Sequence, residues 1–393
     1  MKLLRLIRTA DPAGGGPIEA AQQLDKYLEA LGHEVTMVTL DKPDAPWIIS
    51  HYGKRIGVGP ALGNYGYSRR LIPWLTNNAS NYDAVIINGL WQYHGFAAQM
   101  VLKKIDVPYF VYPHGMLDPW FKHNYPIKHF KKLLYWMFIE RKLLHRATAV
   151  LFTSEQERIL ARQSFSPYSV NEVVVNYGTA LPTESMHEAL RSFWSEFPKL
   201  VDKRIVLFLG RIHEKKGCDL LIRAFSSIAS LDSNLRLMIA GPDQTGWKAR
   251  LERLASEVEV ADRVIWPGML NGDRKWGAMM AASVFALPSH QENFGIAVAE
   301  ALAVGSPVLI SNKVNIWKEI EHDGAGFVGN DDLEGTIEVF SRLINTESET
   351  LEIMKIRAKN CFFNRFEIGA VANNLLSVIA DNLKLRAHDK SRR

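Results

Sequence analysis

Short apolar runs, each closed by a polar or glycine-containing turn and followed by residues of helical period, recur along the whole chain. Leu3-Leu4-Arg5-Leu6-Ile7 predicts the first strand. A turn follows, Ala10-Asp11-Pro12-Ala13-Gly14-Gly15-Gly16-Pro17, then an amphipathic helix to Leu31 that Gly32-His33 ends. Further strands are predicted over 34–40, 84–90, 108–113, 149–154 and 173–178. A second series has strands at 204–209, 235–240, 264–266, 284–287 and 307–310, with helices between them. Strands that alternate with helices build a doubly wound parallel sheet, because a parallel connection has to cross the sheet. The prediction is α/β throughout: two Rossmann-like domains, residues 1–182 and 183–365, facing across a cleft. Residues 181–203 read as a linker with a short helix. A helix over 366–393 is expected to cross back onto the first domain. Residues 41–80, rich in Gly, Pro and Tyr, show no clear period and read as an irregular rim.

Length and composition agree with this division. A chain of 393 residues exceeds one ordinary core. A hydrophobic share of 47% with 23% charged residues is that of a globular protein. The apolar run Leu133–Ile139 is far too short to span a bilayer. The N-terminus enters a strand without a cleavage-site pattern, so the expected location is the cytoplasm. Cys218 and Cys361 read as reduced thiols. Net charge is +5 and uneven: residues 1–182 carry 20 Lys and Arg against 14 Asp and Glu, the remainder 27 against 28. A basic first half suits an anionic partner, either membrane headgroups or a phosphorylated substrate. A merely solvated surface is the plain alternative.

The first glycine-rich turn stands between a strand and a helix N-terminus, a place suited to phosphate. A dinucleotide site wants G-x-G-x-x-G and then an acid after the second strand. Asp41 stands there, but Glu19 occupies the third glycine position counted from Gly14. Three adjacent glycines instead suit a loop whose backbone N–H groups face an anion or a sugar.

Two later strands end in histidine. Trp91-Gln92-Tyr93-His94 follows one, and His114-Gly115-Met116 the other. Functional groups of open α/β sheets gather at that C-terminal edge. Trp91 and His94 are candidate acceptor contacts. The stretch from Ile127 to Arg146 is basic and aromatic with helical spacing. It suits either a membrane interface or a helix packed on the sheet with a solvated basic face. Packing is the preferred reading for most of its apolar side.

The richest chemistry lies in the second series. Gly210-Arg211-Ile212-His213-Glu214-Lys215-Lys216-Gly217 joins a strand to a helix. Arginine offers a fixed fork of donors and lysine a mobile point charge, a pair suited to a diphosphate. Ala240-Gly241-Pro242 and Trp266-Pro267-Gly268 follow, then Glu292-Asn293-Phe294-Gly295 with Glu300 eight positions beyond Glu292. Eight residues is a little over two helical turns, so two acids on one helix would not stack in line. Glu292 is expected in the loop and Glu300 within the helix.

Taken together, these motifs resemble glycosyltransferase family 4, the group 1 glycosyltransferases: retaining, nucleotide-sugar-dependent enzymes of the GT-B fold. The resemblance implies that Arg211 and Lys216 bind the donor diphosphate and stabilise the leaving group. Glu300 would hold the ribose hydroxyls. Glu292, with backbone N–H groups of Asn293, Phe294 and Gly295, would hold the donor sugar. His114 would contact the sugar near the reacting carbon. Gly15 and Gly16 would bring backbone donors to the phosphate and acceptor, Gly210 would belong to the donor-binding residues, and the base would lie near Gly268, Met269 and Leu270. Together with His114, the residues Arg211, Lys216 and Glu292 form the expected catalytic set.

No Asp-x-Asp pair occurs in the chain. With two cations at the leaving group, no metal and no resident cofactor are expected, only a nucleotide-sugar co-substrate carrying UDP or GDP. The implied acceptor is a glycan or polyprenyl-linked glycan, in polysaccharide biosynthesis of the exopolysaccharide, O-antigen or capsule type. Peripheral contact with the inner face of an anionic membrane is a further expectation, and no nucleic acid is expected. Two alternatives remain: a nucleotide-sugar epimerase of the same fold, and a non-catalytic nucleotide-sugar-binding protein.

Overall fold

The computed structural model describes residues 1–14, 16–49, 53–120, 122, 126–181 and 185–391. The chain divides into two compact units. The first takes Met1–Gly178 together with the segment from Ile368 onward, and the second takes Thr179–Glu367. The expected boundary at 182/183 falls outside the described residues.

The first unit is built on a seven-stranded sheet of order β3-β2-β1-β4-β5-β6-β7. Its strands are β1 (Lys2–Leu6), β2 (Glu34–Thr39), β3 (Lys54–Gly57), β4 (Ala84–Asn88), β5 (Tyr109–Tyr112), β6 (Ala149–Phe152) and β7 (Glu172–Val174). Every neighbouring pair is parallel. A parallel sheet covered on both faces needs continuous apolar strands, and Ala84–Ile87 and Ala149–Phe152 are fully buried. Each large aliphatic side chain so buried contributes about 1.5–3 kcal/mol. Residues 41–80 are more regular than their composition suggests. β3 pairs along β2 from Thr36–Lys54 to Thr39–Gly57, and a helix runs over Leu71–Asn78. β3 is a short, half-buried edge strand with two basic residues and a terminal glycine, so it carries no apolar run to read.

Helices of this unit that bear on function are α1 (Gly16–Ala30), α2 (Tyr93–Leu102), α3 (Pro126–Tyr135), α4 (Arg141–Arg146) and α5 (Glu155–Ala161). A π-helical turn, Trp136–Glu140, joins α3 to α4. It buries Trp136 and Glu140 completely, but α3 itself buries none of its residues. In its first half the preferred packed reading of the 127–146 stretch holds only for one side, where Leu133 meets the core and His129 stacks on Phe165, while Ile127, Phe130 and Leu134 stay exposed: a helical period marks an apolar face without saying what covers it.

The second unit holds a six-stranded parallel sheet of order β10-β9-β8-β11-β12-β13. The strands are β8 (Arg204–Leu209), β9 (Leu235–Ala240), β10 (Val264–Gly268), β11 (Val284–Leu287), β12 (Val308–Ser311) and β13 (Gly326–Gly329). β13 has no counterpart in the sequence pattern, because glycine closes it at both ends and its residues are only half-buried. Helices α6 (Cys218–Ala229), α7 (Gly272–Ala281) and α8 (Ile296–Val304) follow β8, β10 and β11. The last helix, α9 (Ile368–Ser391), belongs to the first unit and packs against α1. Both cysteines are buried free thiols. No described helix is long and apolar enough to cross a membrane.

In each sheet the order reverses beside the first strand of the unit, between β1 and β4 and between β8 and β11. The loops after those strands splay apart at such a switch point, which makes it the natural ligand crevice of an open α/β sheet.

Candidate active site

In the second unit the loop after β8 begins at Gly210 and ends at Gly217, whose φ of +67° starts α6. A Cβ at Gly217 would stand 2.2 Å from the Pro288 carbonyl oxygen, so the chain passes here only as glycine. This close approach locks the β8 loop against the β11 loop. The Lys215 carbonyl accepts from the Ser289 hydroxyl and the His290 N–H, both at 2.8 Å. The same latch sets the next side chain, and the Lys216 ammonium pairs with the Glu292 carboxylate. Glu292 is in turn tied by its backbone to the loop after β12, donating to Lys313 and accepting from Asn315, each at 3.0 Å.

Gly295, at φ +82°, turns the chain into α8. Glu292 thus sits in the loop and Glu300 within the helix. Glu300 is 4% exposed and accepts from Lys275 Nζ of α7 at 2.6 Å. Asn293, Phe294 and Gly295 line the turn between the two acids, with Phe294 buried edge-on against Phe366. Arg211 is exposed and pairs with no carboxylate among the described residues. Arg211, without a carboxylate partner among the described residues, and Lys216, paired with Glu292, therefore share the β8 turn with Lys215.

The remaining loops complete this edge. Gly210 donates to the Ala240 carbonyl at 3.0 Å, and Gly241 donates to the Gly268 carbonyl at 2.8 Å. A Cβ on Gly241, whose φ is +145°, would stand 1.8 Å from the Gly210 oxygen. Gly268 has φ +75° with open space around it, Met269 is exposed and Leu270 is buried. The predicted base-binding turn thus offers backbone and one exposed side chain.

The first unit carries the other candidates. Gly15 lies outside the described residues; Gly16 opens α1. Asp41 accepts from the Thr9 hydroxyl at 2.7 Å and the Ala10 N–H at 2.8 Å. Both its oxygens hold the glycine loop, which speaks against the dinucleotide alternative that needed a free acid there. His114 stands at φ +53°, and Gly115 beside it donates to Glu157 of α5 at 2.6 Å. Glu157 also accepts from the Thr153 N–H and hydroxyl, so one buried carboxylate pins the histidine turn.

The His114 ring is held by a buried relay. Arg5, in the middle of β1, meets Asp25 through Nε at 2.7 Å and Asn88 Oδ1 through Nη1 at 3.0 Å. Arginine can only donate, so Asn88 must turn its oxygen to Arg5 and its Nδ2 to His114 Nε2, 3.2 Å away. His114 Nε2 is then an acceptor, and the ring proton sits on Nδ1, which meets the Tyr177 hydroxyl. Burial of the ring, with the charge of Arg5 and the nearby His94, lowers the His114 pKa to about 3. The ring is a neutral group near pH 7.

His94 is 1% exposed and donates through Nε2 to the Asn88 carbonyl at 2.9 Å. Its place is inside, supporting the end of β4. Trp91 is half-buried at φ +67°, with its N–H on Glu140 at 2.5 Å and the Lys132 ammonium 4.8 Å from its ring centre. Burial raises the Glu140 pKa to about 8, against the opposing Trp91 N–H and Lys132 charge.

Motif reading missed Lys275, Arg5, Asn88, Glu157 and Tyr177. Arg5 alone left a signal: an arginine inside an otherwise apolar strand that is covered on both faces must find a buried partner. Among the described residues no group of three or more His, Cys, Asp or Glu is placed to hold a metal.

Residues 15–178 match the Glycosyl transferase 4-like domain, and residues 191–360 match the Glycosyl transferases group 1 family. D-inositol 3-phosphate glycosyltransferase of Acidothermus cellulolyticus is 34% identical over 135 residues, which is 33% of this chain and 30% of that one. Such curated relatives are matched over about a third of their own length. Sucrose-phosphate synthase from Thermosynechococcus elongatus superposes with a TM-score of 0.76 at 20% identity, over 97% of this chain and 98% of that one. Anabaena HepE, solved in complex with UDP and glucose, gives 0.74 at 15% identity, over 97% and 99%. These likenesses give the fold, two Rossmann-like parallel-sheet units of the GT-B type.

Proposed function

We propose the following reaction for the chain, which belongs to the group 1 glycosyltransferases: transfer of a sugar from a nucleotide diphosphate to a hydroxyl of a glycan or lipid-linked glycan, with retention at the anomeric carbon. The bond from the anomeric carbon to the diphosphate oxygen breaks, and its electron pair leaves on the phosphate. The acceptor oxygen bonds to the same face of that carbon, and its proton goes to the departing phosphate oxygen. Such a path develops positive charge at the sugar and negative charge at the diphosphate.

The observation that carries this reading is the β8 turn, where the unpaired Arg211 stands five positions from Lys216, itself paired with Glu292. Arg211 and Lys216 take the diphosphate. Glu292 and the backbone N–H groups of Asn293, Phe294 and Gly295 take sugar hydroxyls, and Glu300 takes the ribose. The base meets Gly268, Met269 and Leu270. His114, Gly15 and Gly16 are the first unit's candidates for sugar and phosphate, and Trp91 is its candidate for the acceptor. The two cations do the work of a metal, so activity needs none and no resident cofactor.

UDP is the first donor base to test, since a structural neighbour was solved with UDP and glucose. The basic first unit supports an anionic acceptor, placed on a polyprenyl diphosphate in polysaccharide assembly at the cytoplasmic face of a membrane. A relative named for D-inositol 3-phosphate gives the competing acceptor, a small soluble phosphorylated alcohol.

A thermal-shift panel of UDP, GDP, ADP and their sugars tests the donor. A ligand at about 100 times its dissociation constant stabilises by about 2.7 kcal/mol. Stabilisation by one nucleotide family is expected, and no shift with any nucleotide would overturn the reading. Incubation with donor alone separates transfer from epimerisation: an epimer formed without acceptor would replace the transferase assignment.

A further inference from the structure

Helix α3 and the π-helical turn after it leave a large apolar face uncovered. Ile127, Phe130, Leu134, Met137 and Phe138 are 77%, 64%, 54%, 39% and 68% exposed. At the helical period Ile127, Phe130 and Leu134 share one side. Exposed apolar clusters of this kind mark interaction sites, because solvent-facing helices normally turn their apolar stripe inward.

The charge around the face is of one sign. Lys128, Lys131, Arg141 and Lys142 are exposed along the same segment. From Pro126 to Arg146 the sole acid is Glu140, and it is wholly buried under Trp91. The hairpin that carries exposed Leu62 and Tyr67 extends the face, followed by exposed Arg69 and Arg70. Its Tyr65 hydroxyl meets the Tyr135 hydroxyl at 2.6 Å, which ties the hairpin to α3.

Three occupants can be weighed. A second copy set symmetrically on this face brings Lys128 and Lys131 toward their own counterparts, and like charges oppose it. A protein partner would need an acidic rim around an apolar centre. An anionic lipid surface answers both features at once: headgroups meet the lysines, and the side chains of Phe130, Leu134 and Phe138 enter the acyl boundary.

We propose that α3, the turn Trp136–Glu140 and the Leu62–Tyr67 hairpin form the surface by which the first unit docks on an anionic membrane. This inference deepens the membrane-facing part of the proposed function and rests on that reading, independently of the donor chemistry. It also gives Trp91 a place in acceptor delivery. Lys132 lies over its ring, Tyr135 is 6.2 Å from it and Glu140 holds its N–H, so the docking helix and the candidate acceptor residue are one packed piece.

Vesicle flotation of the full chain tests the surface. The protein is expected to float with phosphatidylcholine vesicles containing phosphatidylglycerol, at least tenfold more than with phosphatidylcholine alone, and less as salt rises. Lys128→Ala with Lys131→Ala and Lys142→Ala should lower partition onto the anionic vesicles about 100-fold. Phe130→Ser with Leu134→Ser and Phe138→Ser should lower partition onto both. The nucleotide-induced thermal shift should persist in both variants, which shows intact folding and keeps this result apart from that of the donor test. Absence of flotation with any vesicle, or binding indifferent to lipid charge, would overturn the proposal. So would a concentration-dependent dimer in sedimentation that the serine variant abolishes, which would give the face to a second copy.

Discussion

The ammonium of Lys216 and the carboxylate of Glu292 form an ion pair between the loops that follow β8 and β11. Each group therefore holds the position of the other. Lys216→Ala and Glu292→Gln should each lower kcat/KM by about 10²–10³, the usual cost of one charged contact in the transition state. The double variant should lose less than the product of the two, with a coupling of about 0.5–3 kcal/mol. Steady-state kinetics on the four proteins gives the cycle. Strict additivity would mean that the pair does not act as a unit.

Glu300 and Lys275 divide their effects differently. Lys275→Ala leaves a 4% exposed carboxylate without its ammonium partner and should cost about 1–3 kcal/mol in urea unfolding. Glu300→Gln keeps the shape and should act chiefly on nucleotide affinity, about tenfold by calorimetry. Equal affinity in wild type and Glu300→Gln would remove Glu300 from the ribose site.

Asn88 transmits the orientation of Arg5 to His114. The relay requires the proton on His114 Nδ1, which ¹⁵N chemical shifts read directly. Asn88→Asp places a carboxylate beside the ring and should raise the His114 pKa from about 3 toward the ordinary value of 6.5. An unmoved pKa in that variant would break the proposed chain of contacts.

Acid and alkaline stability should be set by different groups of the first unit. Burial lowers the His94 pKa to about 4 from 6.5. Between those values the unfolded chain binds the extra proton, so stability rises with pH by up to about 1.4 kcal/mol per pH unit. Glu140 has the opposite sign. Its pKa is raised to about 8 from 4.5, the folded state holds the extra proton in between, and stability falls as pH rises through that window. Above pH 6.5 only the Glu140 effect remains. Glu140→Gln should flatten the alkaline loss, and His94→Gln should remove only part of the acid loss, the rest belonging to His114 with its pKa of about 3, in urea titrations across pH 4–9.

Gly241 and Gly246 test backbone contact against backbone strain. Both have positive φ, at +145° and +75°, but an added Cβ meets the Gly210 oxygen at 1.8 Å in the first case and nothing within 4 Å in the second. Gly246→Ala should cost about 1 kcal/mol for strain alone. Gly241→Ala should cost more than 3 kcal/mol, because the Gly210 backbone has to move as well. Similar losses for the two would refute the contact.

The sequence was most informative where one stretch carries a whole message. Apolar runs closed by polar or glycine-containing turns located eleven strands, and Gly210, Gly217 and Gly295 marked the turns around the candidate donor site. β3 and β13 were unreadable because short edge strands lack an apolar run. The relay from Asp25 through Arg5, Asn88 and His114 to Tyr177 was unreadable for another reason: its members sit on α1, β1 and β4 and after β5 and β7, elements that only the tertiary fold brings together. Lys275 was hidden in the same way, on a helix whose packing beside α8 no spacing encodes. The stretch from Ile127 gives the contrary lesson, since its amphipathic period was plain and its partner was not.

Ser289 and His290 grip one carbonyl, that of Lys215, and so fasten two turns that lie over seventy residues apart in sequence. The consequence is kinetic. A donor bound at this edge as proposed would find the cation and the acid already fastened side by side, with no slow rearrangement of these loops needed before capture. Association would then track the viscosity of the solvent rather than an internal barrier, and the residence time of the nucleotide, not its arrival, would distinguish one base from another.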